Sequence, residues 1–425
     1  GGGYRESRDN GTPLQQNETA INQGMLGLDV PSGAGGFRLR ADLSRQEYLQ
    51  SFSAIALDRR TERQTSAQRV PARTSGLSAQ WTRPLGSHVF VLGAEHRSVW
   101  GRSEEVAFGA AGLVRSTTSG RQGTTAVFAE DAWSLGRRLV IHGGVRLDRW
   151  RNHDASATSG AVSTLLPDRR ESAVSPRGAV LLKVARRLSL TAAAYRSFRA
   201  PTLNELYRPF RVGNVVTLAN PGLEAERLEG VEAGMVVGLG GAVSLRATVF
   251  RMDADGTVAN VTLSTTPALI TRQRRNLGAI RSEGLEVDGE ARLSSHLVLA
   301  ASFALVDATV ASAPDRTLVG RRVPQVPRRQ GGAQLRYDDP DGFSLGLQAR
   351  FSDSQYEDDL NSLSLRRYWT LDLLASLPVT EWVDAFLAVE NVRDVEYDVG
   401  RTPIRTVGPP RTLRGGLRVR LGPRR

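Results

Sequence analysis

The chain has 425 residues, carries a net charge of +12 and is 40% apolar. It contains no cysteine, which excludes a disulfide framework and thiolate chemistry. No apolar run approaches the roughly 18 residues that a membrane-spanning helix requires. The basic residues are arginines except for Lys183, and they are spread along the whole chain. This distribution does not indicate a nucleic-acid-binding block.

Segments in which apolar and polar residues alternate recur along the chain. In RLVIHGGVRLDRW (residues 138–150) the positions alternate between two faces: one carries Leu139, Ile141, Gly143, Val145 and Leu147, and the other carries Val140, His142, Gly144, Arg146 and Asp148. VSLRATVF at 243–250, FSLGLQARFS at 343–352 and TLRGGLRVRLGPRR at 412–425 follow the same pattern. Alternation with period two is typical of strands that have one apolar and one polar face, and we count roughly 18 such segments.

The links between these segments alternate between short turns and long stretches. The long links are predicted at 100–123, 149–174, 198–226, 255–280, 307–329 and 353–367. In an up-and-down meander this places all tight turns at one end and all long loops at the other, which is typical of outer-membrane barrels.

Tryptophans lie next to both kinds of link, a pattern that predicts two interfacial girdles. Those beside short turns are Trp81, Trp133 and Trp382, and those beside long links are Trp100, Trp150 and Trp369.

Two surroundings would suit strands with an apolar face and a cationic face. In a soluble sandwich the apolar face would meet a second layer, whereas in a membrane barrel it would meet lipid. An arginine facing lipid costs about 2–4 kcal/mol at the midplane, so in a barrel the arginines must face a wet lumen. The predicted lumen-facing residues are Arg146, Asp148, Arg246, Arg350, Arg414, Arg418 and Arg420. They either pair with lumen Asp and Glu residues or hold a plug or an anionic ligand through bidentate bonds.

Four phrases then carry a family resemblance. They are YRSFRAPTLNELYR (195–208) with LANPGLEAERLEGVEAG (218–234), RNLGAIRSEGLEVDGEARLS (275–294), AVENVRDVEYDVG (388–400) and GPPRTLRGGLRVRL (408–421). In order and spacing this set resembles the barrel of TonB-dependent outer-membrane receptors. The resemblance implies an all-β fold, namely a transmembrane antiparallel up-and-down β-barrel with roughly 18 strands of a probable 22. We expect residues 1–425 to be one such barrel domain, without the plug domain and the first strands.

The motif residues form a predicted set at the barrel mouth. They are Arg199, Pro201, Asn204, Glu205, Tyr207, Asn220, Pro221 and Glu226. In the structural interpretation Pro201 ends the hydrogen-bonded ladder because it has no N–H to donate. Asn204 and Glu205 would then satisfy backbone groups or a neighbouring arginine. In the functional interpretation the same residues touch a plug or a ligand.

The resemblance also implies location, partners and activity. The chain would lie in the outer membrane of a Gram-negative-type bacterium, among lipid and lipopolysaccharide. It would take up a scarce, bulky nutrient such as a ferric siderophore or cobalamin, with its plug domain and a TonB-type energy-transducing protein as partners. Loop residues Tyr356, Glu357 and Asp358 are candidate ligand contacts, although a solvated loop is the alternative interpretation.

Signatures of enzymes are missing from the sequence. The five histidines show no paired ligand spacing, so neither a metal site nor a cofactor is predicted. Two other hypotheses stay open at this point. One is a passive porin-like channel or barrel adhesin without a plug, and the other is a secreted soluble β protein or enzyme.

Overall fold

The computed structural model describes residues 1–56, 58, 60–109, 112–212, 215–266, 269–402 and 405–419. The strands are β1 (Gly2–Thr12), β2 (Gln15–Ser32), β3 (Gly35–Ile55), β4 (Glu62–Leu85), β5 (His88–Gly109), β6 (Gly112–Leu135), β7 (Leu139–Ser159), β8 (Val162–Leu165), β9 (Arg169–Ala185), β10 (Leu188–Arg199), β11 (Phe210–Val212), β12 (Val215–Leu218), β13 (Glu226–Leu239), β14 (Val243–Asp255), β15 (Val258–Thr265), β16 (Ile270–Asn276), β17 (Ala279–Arg292), β18 (Leu297–Ser312), β19 (Arg329–Asp338), β20 (Ser344–Ser352), β21 (Gln355–Tyr356), β22 (Ser364–Leu365), β23 (Tyr368–Pro378), β24 (Val383–Glu390), β25 (Asp398–Gly400), β26 (Thr406–Val407) and β27 (Thr412–Val419). The helical segments are α1 (Leu203–Tyr207) and a 3-10 turn, η1 (Arg316–Leu318). None of the described helices is long and apolar enough to cross a membrane.

One large antiparallel sheet dominates the fold. Each of its strands pairs with the next along the chain, in the order β1–β7, β9, β10, β13, β14, β17–β20, β23, β24 and β27. β8 pairs with the end of β7 and brings the sheet to 19 strands. The predicted antiparallel meander of roughly 18 strands is therefore confirmed. Within the described residues no pairing joins β1 to β27.

Three smaller sheets form in the links at one end of the large sheet. The largest has four strands, in the order β11, β12, β16 and β15, and its β12–β16 pairing is parallel. It joins the link after β10 to the link after β14. The other two sheets are the hairpins β21–β22 and β25–β26. We call this end of the large sheet the loop end, and the opposite end the turn end.

The pairing register separates the two faces of the large sheet. One row of directly opposed residues on β3–β7 is Arg38, Gln80, Gly93, Phe128 and Arg146. Arg146 shares its face with Trp150, which the residues around α1 cover. The opposite face carries exposed apolar residues, for example Leu26, Leu43 and Leu77 at 78%, 68% and 60% exposure. No second layer of described residues covers them, which contradicts the sandwich alternative and agrees with a lipid-facing surface. We call the polar side the lumen face.

Strands β3–β7 are much longer than the sequence pattern suggests. Each has 21 to 24 residues, whereas a membrane-spanning strand needs about 9–11. The predicted long link at 100–123 is wrong, because β5 and β6 continue through most of it as a hairpin. The predicted link at 149–174 is wrong for the same reason, since it contains the end of β7, all of β8 and the start of β9.

Trp150 does not belong to a girdle at the lipid face. It lies within β7, has no exposed surface and packs on the lumen face with Leu206, Tyr207 and Leu223. The girdle interpretation is therefore wrong for this tryptophan. By contrast, Trp81 is directly opposite Phe37 and Leu92, two exposed apolar residues of the outward face.

Four aromatic side chains on the lumen face lie over glycines of the neighbouring strand. The opposed pairs are Phe128 with Gly93, Tyr195 with Gly230, Phe250 with Gly284 and Phe386 with Gly416. A Cβ atom placed at Gly230 would lie 2.5 Å from the Tyr195 ring, and one at Gly416 would lie 2.8 Å from the Phe386 ring. These glycines therefore provide the space in which each ring packs against the backbone.

We expect Gly230→Val to lower the free energy of unfolding by about 1–3 kcal/mol, because the new side chain must displace the Tyr195 ring. Gly238→Val is the matched control: it lies on the same strand and face, and nothing lies within 4 Å of its Cβ position. Guanidinium-induced unfolding of the detergent-solubilised protein measures the free energy of unfolding of both variants. Equal losses in the two variants would contradict the steric explanation.

Candidate functional site at the loop end

The segment that follows β10 turns back over the lumen face through a short capped helix. Pro201 is fully buried just after β10 ends, and its carbonyl accepts a hydrogen bond from Gln122 Nε2 at 2.8 Å. Thr202 caps α1: its Oγ1 accepts from the Glu205 N–H at 3.2 Å, and the Glu205 carboxylate accepts from the Thr202 N–H at 2.8 Å. This reciprocal capping box fixes where the chain leaves the sheet.

Arg199 joins the two ends of the long link between β10 and β13. Its Nη1 donates to Glu205 Oε2 at 2.9 Å, and its Nε donates to Glu226 Oε2 at 2.8 Å. Glu226 also accepts from the Val258 N–H at 2.7 Å, which connects the triad to β15. Arg199, Glu205 and Glu226 therefore form one ion-pair network that connects the start of the link to its end.

The charges of this triad stabilise one another at the loop end, outside the membrane-spanning part of the strands. Hydrogen bonds to Glu226 and Glu205 raise the pKa of Arg199 above its ordinary value, although burial opposes the shift. Burial alone would raise the pKa of Glu205, but the hydrogen bonds from Arg199 and Thr202 outweigh it and hold that pKa below its ordinary value. Both side chains are therefore charged at neutral pH.

Arg274 on β16 is buried against α1 and binds its backbone. It is 7% exposed, and its Nη1 donates to the carbonyls of Asn204 and Arg208, both at 2.8 Å, while its guanidinium lies 5.1 Å from the Phe210 ring centre. Burial lowers the pKa of Arg274. Asn220 donates to the Arg274 carbonyl at 2.9 Å, so the second motif phrase joins the same structure.

An apolar cluster lies between these polar contacts and the wall of the sheet. Leu206, Tyr207 and Leu223 from the two motif phrases pack on Trp150 and Ala155 of β7. Arg169 Nη1 donates to the Pro221 carbonyl at 3.1 Å and also to that of Leu223. The link between β10 and β13 is thereby fixed to the wall on both sides of its hairpin β11–β12.

Arg208 extends this structure to a more distant strand. Its Nη2 donates to Gln68 Oε1 at 2.5 Å on β4, and Gln68 in turn donates to Glu105 of β5 at 2.8 Å. Burial lowers the pKa of Arg208, and the nearby Tyr48 and Glu105 partly offset that shift. The link thus spans from β10 to β4 across the lumen face.

The eight motif residues therefore come together at the loop end, with contacts of the kind that the structural interpretation describes. Their partners Gln122, Arg169, Arg208 and Arg274 were not predicted from the sequence. The run RQRRN at 272–276 was a possible signal for Arg274, but its buried position depends on the parallel pairing of β12 with β16.

The predicted lumen arginines are placed as follows. Arg146 lies between Glu95 at 2.8 Å and Asp148 at 3.0 Å, and Arg350 pairs with Asp372 at 2.9 Å. Arg414 lies 3.4 Å from Glu390. Arg246 is directly opposite Asp288, and Arg418 is directly opposite Asp384, on the same face. Arg420 lies outside the described residues.

The loop candidates after β20 are engaged with other loop residues. The Glu357 carboxylate accepts from the Thr402 N–H at 3.2 Å and from the Arg401 N–H. Asp358 is 6% exposed and accepts from the Ser362 and Leu363 N–H groups at 3.1 and 2.7 Å. Tyr356 is half-buried in β21. In the part of the chain that the structure describes, no group of three or more His, Cys, Asp or Glu residues is arranged to hold a metal ion.

Comparisons with known proteins agree with this architecture. The family model described as TonB dependent receptor-like, beta-barrel matches residues 1–392. The ferrichrome outer membrane transporter/phage receptor of Escherichia coli (strain K12) is 30% identical over 128 residues, which are 28% of this chain and 17% of that protein. The metal-pseudopaline receptor CntO of Pseudomonas aeruginosa is 26% identical over 263 residues, which are 60% of this chain and 34% of that protein.

Solved structures show the same fold at low sequence identity. The ferric yersiniabactin uptake receptor FyuA of Yersinia pestis has a TM-score of 0.75 at 18% identity, over 96% of this chain and 62% of that chain. The ferric-catecholate import receptor Fiu of E. coli K12 has a TM-score of 0.74 at 17% identity, over 96% and 64%. The chain therefore spans less than two thirds of the length of these relatives. Because the family model covers nearly the whole sequence, this chain belongs to the TonB-dependent receptor-like β-barrel family.

Proposed function

We propose that this barrel takes part in TonB-dependent active uptake of a scarce, bulky nutrient, of the ferric siderophore or cobalamin class. The observation that carries the proposal is the loop end itself. There the motif residues, with Arg199 bridging Glu205 and Glu226, fix long links above a polar lumen face. Such a mouth suits capture of a ligand too large for simple diffusion. Relatives named as receptors for ferrichrome, metal-pseudopaline and ferrioxamine B support this ligand class.

The proposal includes two protein partners. A plug domain of the receptor blocks the lumen until ligand binds, and an inner-membrane TonB-type protein moves the plug by using the proton-motive force. Lumen residues such as Arg146 and Arg350, which already have carboxylate partners, give the wall paired charges rather than free cations. We propose that the wall therefore solvates a passing ligand rather than binding one tightly. Tyr356 is the remaining loop candidate for direct ligand contact.

Growth rescue tests the proposal. A deletion strain and its parent are grown under iron limitation with a panel of ferric siderophores, and under vitamin limitation with cobalamin. We expect the deletion to abolish growth on one ligand, and we expect loss of the TonB-type protein in the parent to have the same effect. Growth that survives loss of the TonB-type protein would favour a passive channel. Growth that survives the deletion on every ligand would refute uptake of this class.

A further inference from the structure

A basic row crosses the outward face of the longest strands. Each of the six strands β2–β7 contributes one residue to this row, and each residue lies directly opposite the one on the next strand. In strand order they are Asn22, Arg45, Arg73, Trp100, Arg121 and His153. On β3–β7 each of them is seven positions from a member of the lumen-facing row Arg38, Gln80, Gly93, Phe128 and Arg146. Since successive side chains of a strand point to opposite faces, an odd separation puts this row on the outside. We call it the basic row.

The basic row borders the apolar band on the side of the loop end. Between Arg73 and Trp81, which lies near the turn end of β4, the outward residues are Ser75, Leu77 and Ala79. The eight positions from Trp81 to Arg73 correspond to about 26 Å along a strand and about 20 Å along the membrane normal at a tilt of about 40°. The apolar band of a barrel is about 25 Å tall. The backbone of the basic row therefore lies within about 5 Å of the far edge of this band, and its long arginine side chains extend to the headgroup level of the leaflet next to the loop end.

Two of the three arginines of this row have no ion-pair partner among the described residues, whereas Arg121 and His153 both contact Asp154. Arg45 and Arg73 are exposed, and neither forms an ion pair with a described residue, whereas Arg121 has only Asp154 at 3.6 Å. Nearby arginines differ: Arg69, for example, lies 2.6 Å from Glu47. The Arg73 guanidinium lies 5.7 Å from the Trp100 ring centre. Arg45, Arg73, Trp100 and Arg121 line one groove of about 880 Å³.

We propose that the basic row binds a lipid whose headgroup carries two phosphates, in the leaflet next to the loop end. Guanidinium groups match phosphate oxygens through paired N–H bonds. Neighbouring strands are about 4.8 Å apart, so Arg45 and Arg73 converge on one phosphate, and Arg121, two strands beyond Arg73, takes the second about 10 Å away. Trp100 lies between the two positions and packs against the part of the headgroup that joins them. Amphipathic tryptophan rings favour this interfacial level.

Lipid-binding measurements on the delipidated protein in detergent test the proposal. The probes are diphosphorylated lipid A, the same lipid with both phosphates removed, and inorganic phosphate, and native mass spectrometry counts bound lipid. The test variant is R45Q/R73Q/R121Q. The matched control is R137Q/R138Q/R187Q, which removes three exposed arginines from turns at the opposite end of the sheet. Resistance of the folded form to mild heating in detergent verifies that each variant is folded.

We expect the wild-type protein to bind the diphosphorylated lipid at least about tenfold more tightly than the dephosphorylated lipid. R45Q/R73Q/R121Q loses that preference, and R137Q/R138Q/R187Q retains it within about twofold. Should the test variant fail to fold, R45K/R73K/R121K replaces it, and we expect partial loss because lysine keeps charge but not the bidentate fork. Equal binding of the two lipids, an unchanged preference in the test variant, or full displacement of lipid by inorganic phosphate would overturn the proposal.

Discussion

Replacing Trp150 with alanine should lower the free energy of unfolding by about 3–5 kcal/mol, the usual range for removing a fully buried tryptophan. The indole has no exposed surface and packs between the wall of β7 and the residues Leu206, Tyr207 and Leu223. Its loss leaves a cavity beneath both motif phrases, so the link between β10 and β13 should also become sensitive to protease. Guanidinium-induced unfolding, followed by far-UV circular dichroism, measures the first effect.

Two further variants separate this cavity effect from a general effect of losing a tryptophan. Trp382→Ala removes a ring that is 48% exposed in a turn, and we expect a cost below about 1 kcal/mol. The Trp150 Nε1–H is buried and has no hydrogen-bond partner among the described residues. Trp150→Phe, which keeps most of the volume, should therefore cost only about 1 kcal/mol. If Trp150→Ala cost no more than Trp382→Ala, the cluster would not stabilise the loop end.

Arg199→Met should lower the free energy of unfolding by about 2 kcal/mol at neutral pH. It leaves Glu205 and Glu226, which are 20% and 17% exposed, without the cation that joins them. The effect is smaller than for a fully buried pair because Arg199 itself is 43% exposed and solvent screens the interaction. The triple variant Arg199→Met/Glu205→Gln/Glu226→Gln should recover part of the loss, since it removes the uncompensated charges as well. An equal loss in both variants would refute the electrostatic explanation.

The same variant should change the pH dependence of stability. In the wild-type protein the pKa of Glu205 is lower when folded than when unfolded. The contribution of Glu205 to the free energy of unfolding is therefore fully present above the unfolded pKa of about 4.3. It is lost as the pH falls through the folded pKa. Without Arg199 this carboxyl group should favour the folded state less as an anion, because only the hydrogen bonds from Thr202 then oppose the effect of burial on its pKa. We therefore expect the wild-type advantage over Arg199→Met to shrink between about pH 5 and pH 3, as measured by unfolding titrations.

The sequence was sufficient to predict the large-scale architecture. Strands such as β14 and β20 alternate apolar and polar residues because one face meets lipid and the other meets water, and this difference is what period two records. The strand pairings confirm the antiparallel meander, and the family match, together with relatives from the outer membrane, confirms the family and the outer-membrane location.

The long hairpins could not be predicted because the contrast between faces ends at the membrane boundary. Beyond it both faces of β5 and β6 meet water, and their Ser, Thr, Gly and Arg residues resemble a loop composition. Trp150 was assigned to the lipid face for a related reason. Its position next to a predicted loop suggested a girdle, although period-two alternation puts it on the same face as Arg146 and Asp148, and the packing of Leu206 and Leu223 on its ring agrees with the alternation.

The mouth of the barrel was partly predictable. The sequence indicated that Glu205 would satisfy a backbone group or a nearby arginine, and the structure has it bonded to both Thr202 and Arg199. Arg208 was not predicted to contact Gln68, because 140 residues separate them and no local pattern records such a contact. Contacts of this kind depend on how far a link reaches across the sheet.

The glycine–aromatic pairs have a consequence for the relief of the lumen face. Because the rings of Phe128, Tyr195 and Phe250 pack down onto Gly93, Gly230 and Gly284, their bulk is accommodated within the thickness of the wall. The side chains that project from the lumen face are the neighbouring ionic ones, such as Arg146, whose guanidinium lies 5.8 Å from the Phe128 ring centre. The lumen face therefore carries flat aromatic patches next to paired charges such as Arg146 with Glu95 and Asp148.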